Sequence, residues 1–249
     1  MRLTVLGCSG TFPGPESPCS GYLVEHDGYT LVLDLGNGAL GQLQRHVDLL
    51  AVDAVQVSHL HADHCLDLVA YSYARRYHPG GRPPALPVHG PAGLGERIRA
   101  SYEAAPADGL GEVYDFTEAV PGEPYRLGPF EVLVAGVEHP VDAHAVRLTA
   151  GGRTLVYSGD TARSEALVEL ARGCDLLLCE ASWASDPEPP PGIHLTGREA
   201  GDHAARAGAA RVVLTHLMPF ADPAVVLAEA RESYAGPMEL ARCGATYDV

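Results

Sequence analysis

Residues 54–64 read Ala54-Val55-Gln56-Val57-Ser58-His59-Leu60-His61-Ala62-Asp63-His64. The apolar start fits a buried strand, and three imidazoles and a carboxylate follow it within six positions. His59 and His61 are two apart, so in an extended segment they project to the same side. Asp63 and His64 fall where the chain should turn into a helix. One short segment can therefore serve two neighbouring metals. Imidazole and carboxylate donors suit zinc, manganese or iron better than calcium, and without a Cys partner the segment does not read as a closed structural zinc site. The plainer readings are a His-rich loop or a pair of core histidines. The pattern His-x-His-x-Asp-His directly after a strand is much more specific than an isolated histidine.

A two-metal site needs further ligands, and the other apolar runs end in them. Val132-Leu133-Val134-Ala135-Gly136-Val137-Glu138 leads to His139, Thr154-Leu155-Val156-Tyr157-Ser158-Gly159 to Asp160, and Val212-Val213-Leu214-Thr215 to His216. Leu31-Val32-Leu33 ends at Asp34, and Leu176-Leu177-Leu178-Cys179 at Glu180. A single acid or histidine at a strand end is ordinary on the way to solvent. Five of them are expected to converge on one edge of a sheet system.

The ordered set Asp34, His59, His61, Asp63, His64, His139, Asp160 and His216 resembles the metallo-β-lactamase superfamily over nearly the whole chain. Cys179-Glu180-Ala181-Ser182, His194-Leu195-Thr196, Leu214-Thr215-His216 and the opening Leu6-Gly7-Cys8-Ser9-Gly10-Thr11 are similar to its ribonuclease Z branch of phosphodiesterases. Residues Ser58 to Leu68, Tyr157 to Thr161 and Leu178 to Trp183 together resemble a group of actinobacterial atypical cyclic-nucleotide phosphodiesterases. The resemblance implies an α/β fold: an αββα four-layer sandwich with two mixed sheets flanked by helices.

It also implies roles. One metal would be held by His59, His61 and His139, a second by Asp63, His64 and His216, with Asp160 bridging them. The cofactors would be two divalent ions, Zn²⁺ or Mn²⁺, whose bridging hydroxide attacks phosphorus. Asp63, His194 and Glu180 would be the catalytic groups, His194 donating a proton to the leaving alkoxide and Glu180 orienting it. Taken alone, His194 is equally well read as a loop histidine. Thr196-Gly197-Arg198-Glu199, a capping-box pattern, would hold it just before a helix start whose free N–H groups suit a phosphate oxygen. With the ligand positions filled, Asp34 is expected to orient a ligand histidine or the motif loop.

Composition agrees with this outline. At 249 residues and 46% hydrophobic the chain can bury a full core, so residues 1–249 are expected to form one domain. Strand-like runs alternate with helical stretches around 64–77, 91–105, 163–172, 197–208 and 222–233. Met1 to Leu6 reads as a strand rather than a leader, and nothing approaches ~18 consecutive apolar residues. The six cysteines include no Cys-x-x-Cys pair, as expected of free thiols in the cytoplasm. Pro187 to Pro191 should form a loop beside His194.

Seventeen basic against 32 acidic residues give a net charge of −15, which repels long polyanions. In the ribonuclease Z family a tRNA-gripping arm is inserted between the residues matching His139 and Asp160. Here only twenty residues separate them, most of them needed for two strands. A small phosphodiester is therefore the expected substrate, with folded nucleic acid disfavoured, no membrane partner, and a homodimer allowed by analogy. Two alternatives stay open: a ribonuclease Z-like RNA 3′-end nuclease without the arm, and a thioester or lactone metallohydrolase.

Other candidates carry less. Cys65 is read as a small buried hydrophobe, with metal contact as the alternative. His26, His46, His78, His89 and His203 are read as surface or packing residues, and His144 as a pocket candidate. The Gly7 to Ser20 loop, with Ser9, Thr11 and Ser20, is either a plain loop or a phosphate or base contact. Tyr71, Tyr73 and Tyr77, with Arg75 and Arg76, are read as core plus a solvated face.

Overall fold

Leu31-Val32-Leu33 has no polar face, so a strand built from it must be covered on both sides. The computed structural model describes residues 1–81, 83–102, 110–185 and 189–249. The first part of the chain forms β1 (Arg2–Gly7), β2 (Gly21–His26), β3 (Tyr29–Leu35), α1 (Ala39–Leu43), β4 (Ala54–Gln56), α2 (Ala62–Cys65), α3 (Asp67–Arg76), β5 (Leu86–Gly90), α4 (Leu94–Ala100) and β6 (Tyr114–Glu118). The second forms β7 (Tyr125–Leu127), β8 (Phe130–Gly136), β9 (His144–Ala150), β10 (Arg153–Tyr157), α5 (Glu165–Leu170), β11 (Leu176–Glu180), α6 (Gly197–Ala207), β12 (Val212–Thr215), α7 (Pro223–Ser233), β13 (Met238–Leu240) and β14 (Thr246–Asp248).

These make two mixed seven-stranded sheets, ordered β14-β1-β2-β3-β4-β5-β6 and β13-β12-β11-β10-β9-β8-β7. Each part of the chain builds its own sheet, and only β14 crosses back to pair antiparallel with β1. Side chains alternate between the faces. Leu31 and Leu33 enter the core between the sheets with Val132, Val134, Leu148 and Leu155. Val32 faces outward into a second core with Leu43 of α1, Leu68 and Tyr71 of α3, and Ile98 of α4. Across the other sheet, Val156, Leu177 and Leu214 pack beneath α5, α6 and α7. Each fully buried Leu or Val contributes about 1.5–3 kcal/mol relative to exposure. The result is the helix–sheet–sheet–helix sandwich that the resemblance implies.

Two helices depart in detail from the expected spans. The stretch at 64–77 is two helices, α2 stopping at Cys65 and α3 restarting at Asp67, whose carboxylate accepts from the Leu40 N–H at 2.9 Å. Of the stretch at 91–105, the described residues 91–102 are helical over α4, and residues 103–109 lie outside those described, as do Pro187 and Glu188 of the proline segment. Helix α6 meets α7 backbone to backbone. A Cβ at Gly201 would lie 2.2 Å from the Ala230 carbonyl oxygen, and one at Gly197 2.2 Å from the Val226 carbonyl oxygen, so glycine at both positions permits the approach of α6 to α7. No helix among the described residues is long and apolar enough to cross a membrane.

Candidate metal centre and active site

Strands β3 and β4 run parallel in the first sheet, and β10, β11 and β12 run parallel in the second. Strand β8 shares that second direction, because two antiparallel pairings through β9 connect it to β10. The segments after these strands meet at one rim. The strand-end residues singled out in the sequence therefore come from both sheets, not one.

Two clusters form there. His59, His61, His139 and Asp160 place ligand-type atoms within 4.8 Å of one another, and so do Asp63, His64, Asp160 and His216. Asp160 belongs to both. A third group, Glu180, His194 and His216, adjoins the second cluster.

The hydrogen bonds around these rings determine which nitrogens face inward. His64 donates from Nδ1 to Asp34 Oδ2 at 2.7 Å, and His139 from Nδ1 to the Ile193 carbonyl at 2.8 Å. Ser58 Oγ donates to Asp34 Oδ2 (2.7 Å) and so accepts from His59 Nδ1 (3.1 Å). Ser182 Oγ donates to Glu180 Oε2 (2.9 Å) and accepts from His216 Nδ1 (2.9 Å). A ring whose outer nitrogen carries the proton presents a lone pair at the other. Those inner nitrogens crowd together: His59 Nε2 lies 3.0 Å from His61 Nδ1, His139 Nε2 lies 3.2 Å from the same atom, and His64 Nε2 lies 3.2 Å from His216 Nε2. Asp160 Oδ1 is buried 3.3 Å from His64 Nε2 and accepts no hydrogen bond among the described residues. Converging lone pairs with no donor between them suit a cation.

Electrostatics point the same way. Burial, reinforced by neighbouring imidazoles, holds His59 well below its ordinary pKa and lowers His61. Burial also lowers His139. Burial opposes the charges of Asp63 and Asp160, but His216 and His64 outweigh it and keep both carboxyls ionised. Neutral imidazoles and ionised carboxylates are the forms that bind a divalent metal. His64 goes the opposite way, because Asp160 and Asp34 outweigh its burial and raise its pKa well above the usual value. A cation held at Nε2 would take the place of that proton.

Asp34 is entirely buried and accepts four hydrogen bonds: from Ser58 N–H and Oγ, His64 Nδ1 and the Tyr157 hydroxyl, each at 2.7 Å. It sits near the end of β3 at φ 54°, and His216 stands at φ 55°. Both are uncommon for residues with a Cβ, and the surrounding network holds them there.

His194 Nδ1 lies 3.0 Å from Glu180 Oε1 and 3.9 Å from Asp160 Oδ2. Burial disfavours its charge, but Glu180 outweighs the burial and pushes its pKa up to about 9. Glu180 also accepts from the N–H groups of Thr161 and Leu195, so both of its oxygens are engaged. The capping box at Thr196 and Glu199 is present, with His194 two residues before the cap. Beside His194 opens a cleft of about 930 Å³, lined also by Glu138, Pro189 to Pro191, and Arg198.

Cys65 is buried, its thiol donating to the His61 carbonyl at 3.3 Å, and it lies in neither cluster. His203 is a packing residue that bonds the Ser164 N–H and the Glu199 carbonyl. His144 is buried in β9 beside Asp142 and belongs to neither cluster, although its backbone N–H donates to the Ser58 carbonyl at 3.0 Å. Ser58, Ser182 and Tyr157 were not singled out as functional in the sequence, although all three lie inside the quoted segments. Their hydroxyls orient rings, a task that serine and tyrosine do not advertise by spacing.

A β-lactamase superfamily domain model matches residues 29–217. An uncharacterized protein of Mycobacterium leprae (strain TN) is 44% identical over 253 residues, covering 100% of this chain and 89% of that protein. The probable metallo-hydrolase YhfI of Bacillus subtilis (strain 168) is 30% identical over 251 residues with 100% of each covered. Its crystal structure superposes with a TM-score of 0.88 at 29% identity over 99% of each chain. Ribonuclease Z of Myxococcus xanthus (strain DK1622) is 29% identical over 304 residues, which is 100% of this chain and 98% of that enzyme.

Proposed function

The chain belongs to the β-lactamase superfamily, and from that premise we propose that it is a dinuclear metal-dependent phosphodiesterase of small cyclic phosphodiesters, 3′,5′-cyclic nucleotides such as cAMP foremost. In this reading it acts as one domain in a reducing compartment, which its six unpaired cysteines suit. His59, His61 and His139 would hold one Zn²⁺ or Mn²⁺, Asp63, His64 and His216 the other, and Asp160 both. Bound there, two divalent cations would lower the pKa of a solvent nucleophile and neutralise charge on the phosphoryl oxygens.

The observation that carries the reading is the His194–Glu180 pair beside the metal donors. Cleavage of a phosphodiester leaves an alkoxide that needs a proton. A protonated His194 held by Glu180 supplies one, and the buried Glu180 orients the ring as it does so. A thioester expels a thiolate, which leaves without that help, so the pair has less purpose there. Small substrates fit better than folded RNA, because β9 and β10 occupy most of the chain between His139 and Asp160. The 304-position ribonuclease Z alignment against 249 residues also leaves about 55 positions opposite gaps in this chain. The same similarity favours RNA 3′-end cleavage as the second reading.

Protein stripped of metal and reloaded separately with Zn²⁺ and Mn²⁺ should turn over both cAMP and a generic aryl phosphodiester. Turnover of an unstructured RNA 3′ end with none of cAMP would replace the substrate, and no turnover of any diester would remove the phosphodiesterase reading.

Asp34 supports the centre through His64. Asp34→Asn puts an amide donor where four hydrogen bonds arrive, and a ligand's orienting partner is worth about 10–100-fold in metal affinity. Titration of the loaded protein with a competing chelator should show that loss. Unchanged retention would make Asp34 a purely structural acid.

A further inference from the structure

Phenylalanine and tryptophan are scarce here: the chain has four phenylalanines and a single tryptophan beside eleven tyrosines. Two of the phenylalanines and the tryptophan stand in one row at the rim of the metal centre. Phe12 and Phe220 are 44% and 68% exposed, against the general burial of large apolar side chains. Their ring centroids lie 6.1 Å apart, and Phe220 lies 6.3 Å from Trp183. Trp183 in turn lies 6.0 Å from His194, whose other ring neighbours are His216 at 5.1 Å and His139 at 5.5 Å. His194 thus stands between the aromatic row and the two clusters.

The row is built rather than incidental. Phe12 and Phe220 ride on two loops, residues 8–14 and 216–221, tied to each other by the Gly10 N–H to the Leu217 carbonyl (2.9 Å), the Leu217 N–H to the Cys8 carbonyl (3.1 Å) and a Ser9–Leu217 bridge. The second loop begins at His216 itself. Thr11, directly before Phe12, is held at φ 62°, a strained state for a β-branched residue that persists only where the surroundings over-determine it. Trp183 follows the Glu180–Ser182 segment and hydrogen-bonds through its carbonyl to the Gly197 N–H, so it is anchored to the cap of α6. A group docked on this row is held in register with His194.

We propose that Phe12, Phe220 and Trp183 form a stacking platform for the nucleobase of the substrate, favouring phosphodiesters that carry a base over those that do not. This rests on the phosphodiesterase reading above, but concerns recognition rather than the reaction. Exposed aromatic faces attract bases of any identity, because every base offers a π-face. The platform therefore selects for a base without choosing among bases. Continuity with His194, and thus with the point where a leaving oxygen is protonated, favours a base over a second copy of this chain as the occupant.

The single tryptophan makes the test direct, because emission excited beyond the absorption band of the eleven tyrosines reports Trp183 alone. Adenosine 5′-monophosphate should change that emission saturably and bind more tightly than ribose 5-phosphate, which has no base. In Phe220→Ala and Phe12→Ala that preference should fall by roughly 5- to 150-fold, the range for loss of one base-stacking contact. Phe220→Tyr, which keeps a ring, should retain it. Equal affinities for the two ligands in the unaltered protein, or an unchanged preference in both alanine variants, would overturn the platform. So would a dimer in gel filtration that dissociates in Phe220→Ala, because a second copy would then be the cover. Binding needs no turnover, so a protein that prefers the nucleotide yet hydrolyses no diester sinks the reaction alone. One that hydrolyses diesters with no such preference sinks the platform alone.

Discussion

On the proposed function, a chain carrying His194→Ala should keep its metal and lose about 10²- to 10⁴-fold in kcat on an alkyl phosphodiester such as cAMP. The two effects separate because His194 lies in neither of the clusters built on the His59–His64 segment, although it adjoins Glu180 and His216. The loss should depend on the leaving group. A nitrophenolate departs with little need of a proton, so the variant should fall much less on an aryl diester activated in that way. A general structural role for His194 would depress both substrates equally. Metal analysis together with kcat on the two diesters distinguishes these outcomes, and equal activity of variant and unaltered protein on cAMP would remove the proton-donor role.

His61→Ala should behave in the opposite way, losing metal first and activity as a consequence. His61 Nδ1 is the atom that His59 Nε2 and His139 Nε2 both approach, so its removal opens the centre of the first cluster. Elemental analysis should show about one metal per chain instead of two. Ligands that bind only the folded state stabilise it by mass action, about 4 kcal/mol at a thousandfold excess over Kd. The unaltered protein should therefore melt at a lower temperature in chelator, and His61→Ala should respond less. Full occupancy in His61→Ala would take His61 out of the ligand set.

How far the sequence could be read follows from the range of the forces involved. The cluster from His59 to His64 is visible because one strand end and one helix start place its side chains, and both are local. His139, Asp160 and His216 were legible because an apolar run of strand length ends at each. The two-sheet sandwich was implied by the resemblance that the ordered donor set carries, and runs such as Leu31-Val32-Leu33, which need cover on both faces, fit it. The break between α2 and α3 was not visible. Helical periodicity continues through it, and packing of Asp67 onto the start of α1 is a tertiary matter.

The sequence by itself determined which side chains carry metal-donor atoms and that most of them follow apolar runs of strand length, and the resemblance those residues carry implied the sandwich. Tertiary structure alone decided that Asp34 holds His64, that Ser58 and Ser182 turn lone pairs inward, and that Glu180 reaches His194. It alone brought Phe12 beside Phe220, more than two hundred residues away in the chain. The reason is physical. Periodicity and donor chemistry belong to short stretches of backbone, whereas a hydrogen bond or ring contact across the rim depends on the relative placement of two sheets, set by the whole core at once.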